Sequence, residues 1–287
     1  MISLMKNNSK YWIVTDLDGT LMDEDYDITP AKKTLKILAE LNIPVIPCTS
    51  KTASEVRHFR KENALTDPFI VENGAAVYGC YEQNSSEWEL ILGKSYAELK
   101  TILFNISKKV NYHFTPLNDL SKNQIFELTG LSDQGITRAL DRCWSVPFLN
   151  PPDDIFENVK FICDFYNVHV FKGNRMSHLL SSESHKGKAV NKLKVYLQNN
   201  DVKIIALGDS QNDLPLLEYA DIAIVIPGKN GPNKYLQNGI DNGSFRLANA
   251  PHAEGWANSV QDIIKDFKDL CKIMILIMIL IIFSQRV

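Results

Sequence analysis

Tyr11-Trp12-Ile13-Val14-Thr15-Asp16-Leu17-Asp18-Gly19-Thr20 is the stretch from which the fold can be read. Its first six residues form a short apolar run that closes on a polar turn, the pattern of a parallel strand buried on both faces. In open α/β sheets ligands bind beyond the carboxyl ends of the strands, so Asp16 and Asp18 are expected to project into a cleft. Two carboxylates two residues apart can divide the labour, one attacking phosphorus and the other moving protons. Gly19 lets the chain turn sharply. The same five residues, Asp16 to Thr20, also suit an ordinary polar turn, since Asp and Gly are common turn formers.

After this stretch, strand and helix alternate. Thr29 is a candidate N-cap with Pro30 at the first helical position, and Leu35, Leu38 and Leu41 then recur at helical spacing. Ile43 to Cys48 reads as a second strand, Ser54 to Glu62 as a helix and Pro68 to Glu72 as a third strand. After a polar stretch at Asn84 to Glu87 the character changes. Helix candidates cover Lys94 to Val110, Ser132 to Arg142 and Asp153 to Asn167, and Val168 to Phe171 with Arg175 to Leu180 reads as a hairpin. The alternation then returns with a helix from Lys186 to Leu197, a strand at Lys203 to Leu207, a helix at Leu214 to Tyr219 and a strand at Ile222 to Ile226. The sequence therefore predicts an α/β fold, a Rossmann-like parallel-sheet core interrupted by an inserted α/β cap. The expected divisions are 1–84 and 184–270 for the core, 85–183 for the insert and 271–287 for an apolar tail.

Composition narrows the function classes. The 287 residues are 45% apolar and 23% charged, enough for a sizeable core, and a formal charge of -3 gives no global basis for nucleic-acid binding. Any anion site has to be built locally. The five cysteines (Cys48, Cys80, Cys143, Cys163, Cys271) are scattered without metal-ligand spacing, which reads as reduced thiols of a cytoplasmic protein. The run Ile273 to Phe283 is wholly apolar yet only about half the ~20 residues needed to span a bilayer. It also lacks the polar face of an interfacial helix, so stable membrane association is not expected.

Three further constellations follow strand ends or open helices. Thr49-Ser50-Lys51 comes directly after the second strand, where a hydroxyl and helix-start N–H groups can hold a phosphate; Thr49 alone also reads as the N-cap of the Ser54 helix. Lys186-Gly187-Lys188 opens a helix, where a lysine can neutralise a phosphoryl group or simply be solvated. Gly208-Asp209-Ser210-Gln211-Asn212-Asp213 follows another strand, and Asp209 and Asp213 suit the oxygen-ligand demand of magnesium.

Together, Asp16-x-Asp18-x-Thr20, Thr49, Lys186 and Gly208-Asp209-x-x-Asn212-Asp213 resemble the four motifs of the haloacid dehalogenase superfamily of phosphatases. More narrowly, Thr49 to Thr52, Pro68 to Ala76, Glu127 to Leu131, Arg142 to Phe148, Gly173-Asn174-Arg175, His178 to Leu180 and Glu254-Gly255-Trp256 are similar to the mannosyl-3-phosphoglycerate phosphatase family. The resemblance implies a magnesium (Mg2+) enzyme in which Asp16 forms an aspartyl-phosphate, Asp18 is acid and base, and Thr49 and Lys186 assist. It implies Asp16, Asp18, Asp209 and Asp213 around the metal, and Lys51, Asn73, Arg142, Arg175, His178, Lys188 and Asn212 as substrate contacts. The insert would act as a lid. The implied substrate is a small phosphorylated hexosylglycerate, mannosyl or glucosyl, whose product is a compatible solute. A broader sugar-phosphate phosphatase, a phosphomutase and a silent binding protein stand as alternatives on the same fold.

Overall fold

A computed structural model of the chain describes residues 9–81, 86–173 and 175–266. The tail run Ile273 to Phe283, Cys271, Asn84 and Asn174 lie outside the described residues. Five parallel strands form the main sheet: β1 (Tyr11–Thr15), β2 (Val45–Pro47), β9 (Lys203–Gly208), β10 (Ile222–Val225) and β11 (Arg246–Leu247), in the order β11-β10-β9-β1-β2. Two smaller antiparallel sheets accompany it. One joins β3 (Phe69–Val71), β4 (Ala76–Cys80) and β5 (Glu87–Ile91), and the other has the order β6-β8-β7 from β6 (Val146–Leu149), β7 (Val168–Lys172) and β8 (Met176–Ser181).

The alternation of side chains along a strand explains the layers. In β1, Ile13 points to one face, where it joins Ile205 and Leu207 of β9. That face is covered by Leu35 and Leu38 of helix α1 (Lys32–Glu40) and by Trp256 and Val260 of the helical stretch 252–266. Trp12 and Val14 point the other way, with Ile204 and Ala206, into a second cluster. Val190 and Leu193 of helix α7 (Lys186–Tyr196) and Leu216 and Leu217 of helix α8 (Leu214–Tyr219) complete that cluster. Each Val, Leu or Ile among them contributes roughly 1.5–3 kcal/mol when fully buried. Trp256 adds polar order as well, because its indole N–H donates to the Thr15 hydroxyl at 3.0 Å.

Strand register brings the key loops to one edge. Thr15 lies opposite both Leu207 and Pro47, so Asp16, Asp209 and Thr49 all emerge at the carboxyl end of the sheet. The Asp16 N–H donates to the Leu207 carbonyl at 3.0 Å and the Cys48 N–H to the Thr15 carbonyl at 2.7 Å.

Residues 96–180 pack hydrophobic clusters of their own. Helices α3 (Tyr96–Val110) and α6 (Asp153–Cys163) pack Leu99, Leu103, Ile106, Phe156 and Val159 onto Val168, Val170 and Leu179 of the β6-β8-β7 sheet. Helices α4 (Lys122–Thr129) and α5 (Asp133–Leu140) form a satellite cluster through Ile125 and Ile136 with Met176. Strand β5 pairs with β4, and its Trp88 packs in the cluster that contains Trp12.

Three local readings are corrected. Thr29 is not an N-cap: it begins a single 3-10 turn, Thr29–Ala31, its N–H and hydroxyl both donate to Asp27, and α1 starts only at Lys32. The cap of α2 (Ala53–Glu62) is Thr52, not Thr49, because Thr52 and Glu55 form a reciprocal capping box. The third strand is β3, which meets β2 through the single parallel bridge Cys48–Ile70 and pairs antiparallel with β4. Its reversal is made by Glu72, Asn73 and Gly74, all left-handed with φ of 47°, 60° and 91°.

At Gly74 a Cβ would lie 2.4 Å from the main-chain carbonyl carbon of His185, so the turn also presses directly on the start of α7. Gly130, the left-handed C-cap of α4 with φ 70°, has open space at the same position. Gly130→Ala is expected to cost about 1–2 kcal/mol for the left-handed backbone alone. Gly74→Ala should cost clearly more, read as the difference between their urea midpoints; equal costs would contradict a tight turn-to-helix contact.

Candidate active site

At the carboxyl end of β1, Asp16 is 4% exposed, and Lys186, the first residue of α7, is fully buried beside it. The Lys186 ammonium donates to Asp16 Oδ1 at 2.6 Å and to Asp213 Oδ1. Asp213 turns its other oxygen to the N–H groups of Asp209 and Ser210, both at 3.0 Å, which fixes the loop after β9. Asp209 in turn accepts the Thr20 hydroxyl at 2.9 Å. Gly19 (φ 81°) makes this approach possible, since a Cβ there would sit 2.7 Å from Asp209 Oδ2.

Three carboxylates, those of Asp16, Asp209 and Asp213, bring one oxygen each within 4.8 Å of one another. Against them stands the Lys186 ammonium. Burial raises the Asp16 carboxyl to about 7; Lys186 opposes this, and the neighbouring Asp213 and Asp18 add to it. Burial first, then Asp213 and Asp16, pushes Asp209 well above the usual carboxylate range. Burial alone would lower Lys186, but Asp16 and Asp213 outweigh it and hold the ammonium charged. A buried excess of hard oxygen donors fits a divalent cation.

Asp16 and Asp209 lie on the floor of a cleft of about 460 Å³, with Lys186 and Asp213 fully buried beneath them. Asp16, Asp18, Lys51, Arg142, Arg175, His178, Asp209 and Asn212, all nominated from the sequence, line it. The Asp18 side chain is 43% exposed and pairs with the Lys51 ammonium at 2.9 Å. Thr49 and Asn73 are buried behind the floor: the Thr49 carbonyl accepts the Asn73 N–H at 2.9 Å, and Asn73 Oδ1 accepts the Asn212 amide at 2.9 Å. Arg175 is exposed and donates to the Thr129 carbonyl at 3.1 Å. His178 stacks on Phe171 at 5.0 Å, and burial, with the charge of Arg142, pushes it down to about 3, so it is neutral. Lys188 is not brought to the cleft; its ammonium turns to Glu183 on the exposed side of α7.

Some contributors carried no sequence signal. His252 lines the cleft and its Nδ1 contacts the Gly19 carbonyl at 3.1 Å, a contact from 233 residues away. Glu72 did carry one, as a charge closing an apolar strand just before Asn-Gly, and it is among the most buried carboxylates of the chain.

The chain matches the family of haloacid dehalogenase-like hydrolases over residues 13–234. It belongs to that family. The glucosyl-3-phosphoglycerate/mannosyl-3-phosphoglycerate phosphatase of Persephonella marina is 31% identical over 273 residues, covering 90% of this chain and 99% of that one. The phosphatase of the same name from Methanococcoides burtonii is 34% identical over 274 residues, 89% of this chain and 97% of that one. A crystal structure from Thermoplasma acidophilum shares the fold with a TM-score of 0.65 at 18% identity, covering 88% and 97% of the two chains. This haloacid dehalogenase-like hydrolase is accordingly a phosphatase, with an acidic triad that can hold a metal. Among the described residues no helix is long and apolar enough to cross a membrane.

The crowded acids have a measurable consequence without metal. Asp16 ionises near 3.8 in an ordinary setting and near 7 here, so between those values the folded chain keeps a proton that the unfolded chain has lost. This contribution to stability is full below the lower value and is lost as the pH rises through the upper one. Removing one carboxylate with Asp209→Asn should therefore raise the melting temperature in chelator, by a margin that grows from about pH 5 to about pH 8. The same variant should lose the thermal shift produced by added divalent cation. A variant that melts lower than the parent at the alkaline end would contradict charge crowding.

Proposed function

We propose that the protein hydrolyses the phosphate monoester of a glucosyl- or mannosyl-3-phosphoglycerate, with Asp16 as nucleophile and magnesium as its resident cation. The observation that carries this is the Lys186-bridged carboxylate cluster on the floor of a cleft whose wall holds a second buried cation, Arg142. The names of the relatives support the substrate.

A phosphate dianion repels nucleophiles, so catalysis rests on positioning and charge cancellation. When bound, magnesium held by Asp16, Asp209 and the main-chain carbonyl of Asp18 would offset charge on the phosphoryl oxygens. Lys186 holds one oxygen of Asp16, which orients the carboxylate without neutralising it. The Asp16 carboxylate attacks phosphorus in line, the bond to the glycerate oxygen breaks, and Asp18 gives its proton to the departing alkoxide. In the second half Asp18 takes a proton from the water that hydrolyses the aspartyl-phosphate. The pair between Asp18 and Lys51 has to open before the first step, so that Asp18 can carry the proton it gives, and this frees the Lys51 ammonium for the substrate. The insert serves as lid and excludes bulk water. Arg142 receives the glycerate carboxylate, for which a planar guanidinium is suited. On this reading the enzyme works in the cytoplasm on a compatible-solute precursor.

Phosphate-release kinetics test the proposal. Asp16→Asn should abolish turnover in a folded protein, Asp18→Asn should slow it severely, and chelator should silence the parent until magnesium is returned. Full activity of Asp16→Asn would end the assignment. Arg142→Ala should weaken kcat/KM for the hexosyl-3-phosphoglycerate by about 1.5–3 kcal/mol, one to two powers of ten. It should matter far less for 4-nitrophenyl phosphate, which has no carboxylate; equal losses on both would favour a broader sugar-phosphate phosphatase.

A further inference from the structure

The turn between β3 and β4 carries a carboxylate with no part in the chemistry above. Glu72 is 1% exposed, and it accepts the N–H of Cys143 at 3.0 Å, the N–H of Trp144 at 3.1 Å and the hydroxyl of Ser145 at 2.5 Å. All three donors lie on the segment between α5 and β6, within the insert, whereas Glu72 belongs to the core side of the cleft. The same Ser145 hydroxyl accepts from Arg142 Nη1 at 3.1 Å, and that nitrogen also donates to the Ser50 carbonyl at 3.1 Å. Glu72, Ser145 and Arg142 thus form one relay.

Arg142 is the end of that relay that faces the cleft. Its side chain is 8% exposed, and its Nε is buried with no hydrogen-bond partner among the described residues. The guanidinium charge is paired with Glu72 at 3.9 Å, but a buried Nε–H left without an acceptor is costly, and its retention points to an anionic acceptor that arrives from the cleft. The other side of the turn is braced against the phosphate loop: the Glu72 N–H donates to the Lys51 carbonyl and the Asn73 N–H to the Thr49 carbonyl, both at 2.9 Å. Glu72 itself is left-handed, a conformation that costs energy for a long side chain and persists where surrounding contacts impose it.

We infer that Glu72 is the latch that fastens the insert to the core and seats Arg142 for the second anionic group of the substrate. It is a positioning residue, acting through Arg142, and this inference rests on the reading of the substrate as a phosphoglycerate ester. A small phosphate ester needs no such seat. The latch therefore sets specificity more than it sets the phosphoryl-transfer step.

A double-mutant cycle decides it. Glu72→Gln replaces an acceptor with an amide that faces donors, and should lower the ratio of kcat/KM for hexosyl-3-phosphoglycerate to that for 4-nitrophenyl phosphate at least about tenfold, chiefly through KM. Combined with Arg142→Ala it should lower the ratio no further than Arg142→Ala alone. Independently of any substrate, the Cys143 and Trp144 amides should exchange faster in Glu72→Gln. If Glu72→Gln does not fold, Ser145→Ala breaks the relay while leaving both amide bonds, and should show the same non-additivity at smaller amplitude. Multiplicative effects, or equal losses on both substrates, would overturn the inference. Should the parent fail to hydrolyse either hexosyl-3-phosphoglycerate, the substrate reading falls, and unchanged exchange at Cys143 and Trp144 in Glu72→Gln would overturn the latch on its own.

Discussion

Everything at the cleft depends on one buried ammonium. Lys186 has no contact with water, and its charge is held in place by Asp16 from the end of β1 and Asp213 from the loop after β9. Breaking such a pair from one side leaves an uncompensated buried charge, a loss of about 3–5 kcal/mol. The three segments that meet here are therefore coupled, although 170 residues separate Lys186 from Asp16. The arrangement also leaves more carboxylate than ammonium, an excess that a retained proton or a divalent cation can balance.

The parallel sheet makes this meeting possible at low cost. Because β1 pairs in register with β9 and β2, the residues that follow each strand leave at the same height. Two glycines then allow what side chains would forbid, Gly19 against Asp209 and Gly74 against His185. The same turn that needs Gly74 carries Asn73 and Glu72, so the loop after β2, the loop after β9 and the segment between α5 and β6 are tied to one reversal of the chain.

Much of this was legible in the sequence because it is local. A buried parallel strand shows as a continuous apolar run, and Tyr11 to Thr15 and Lys203 to Gly208 announce themselves. The motif carboxylates follow such runs directly. The reversal at Glu72 was harder, because Asn-Gly marks a turn but the run before it looks like another strand of the parallel series. Thr29 and Thr49 illustrate a second limit: Asp27 takes both the N–H and the hydroxyl of Thr29, and the hydroxyl that meets the N–H three residues on at the start of α2 is that of Thr52. Long-range pairings left no trace at all. Nothing near His252 tells of Gly19, and nothing near Arg142 tells of Ser50. Lys188 shows the converse: it follows the buried lysine by two residues, and on a helix that spacing turns it away to Glu183.

In the proposed mechanism the phosphoryl group passes through the Asp16 carboxylate. The most direct measurement is the stereochemical course at phosphorus, using a substrate whose phosphate is made chiral with oxygen isotopes. Two successive in-line displacements, first by Asp16 and then by water, predict net retention of configuration. Net inversion would mean that water attacks the substrate directly, and would contradict the account.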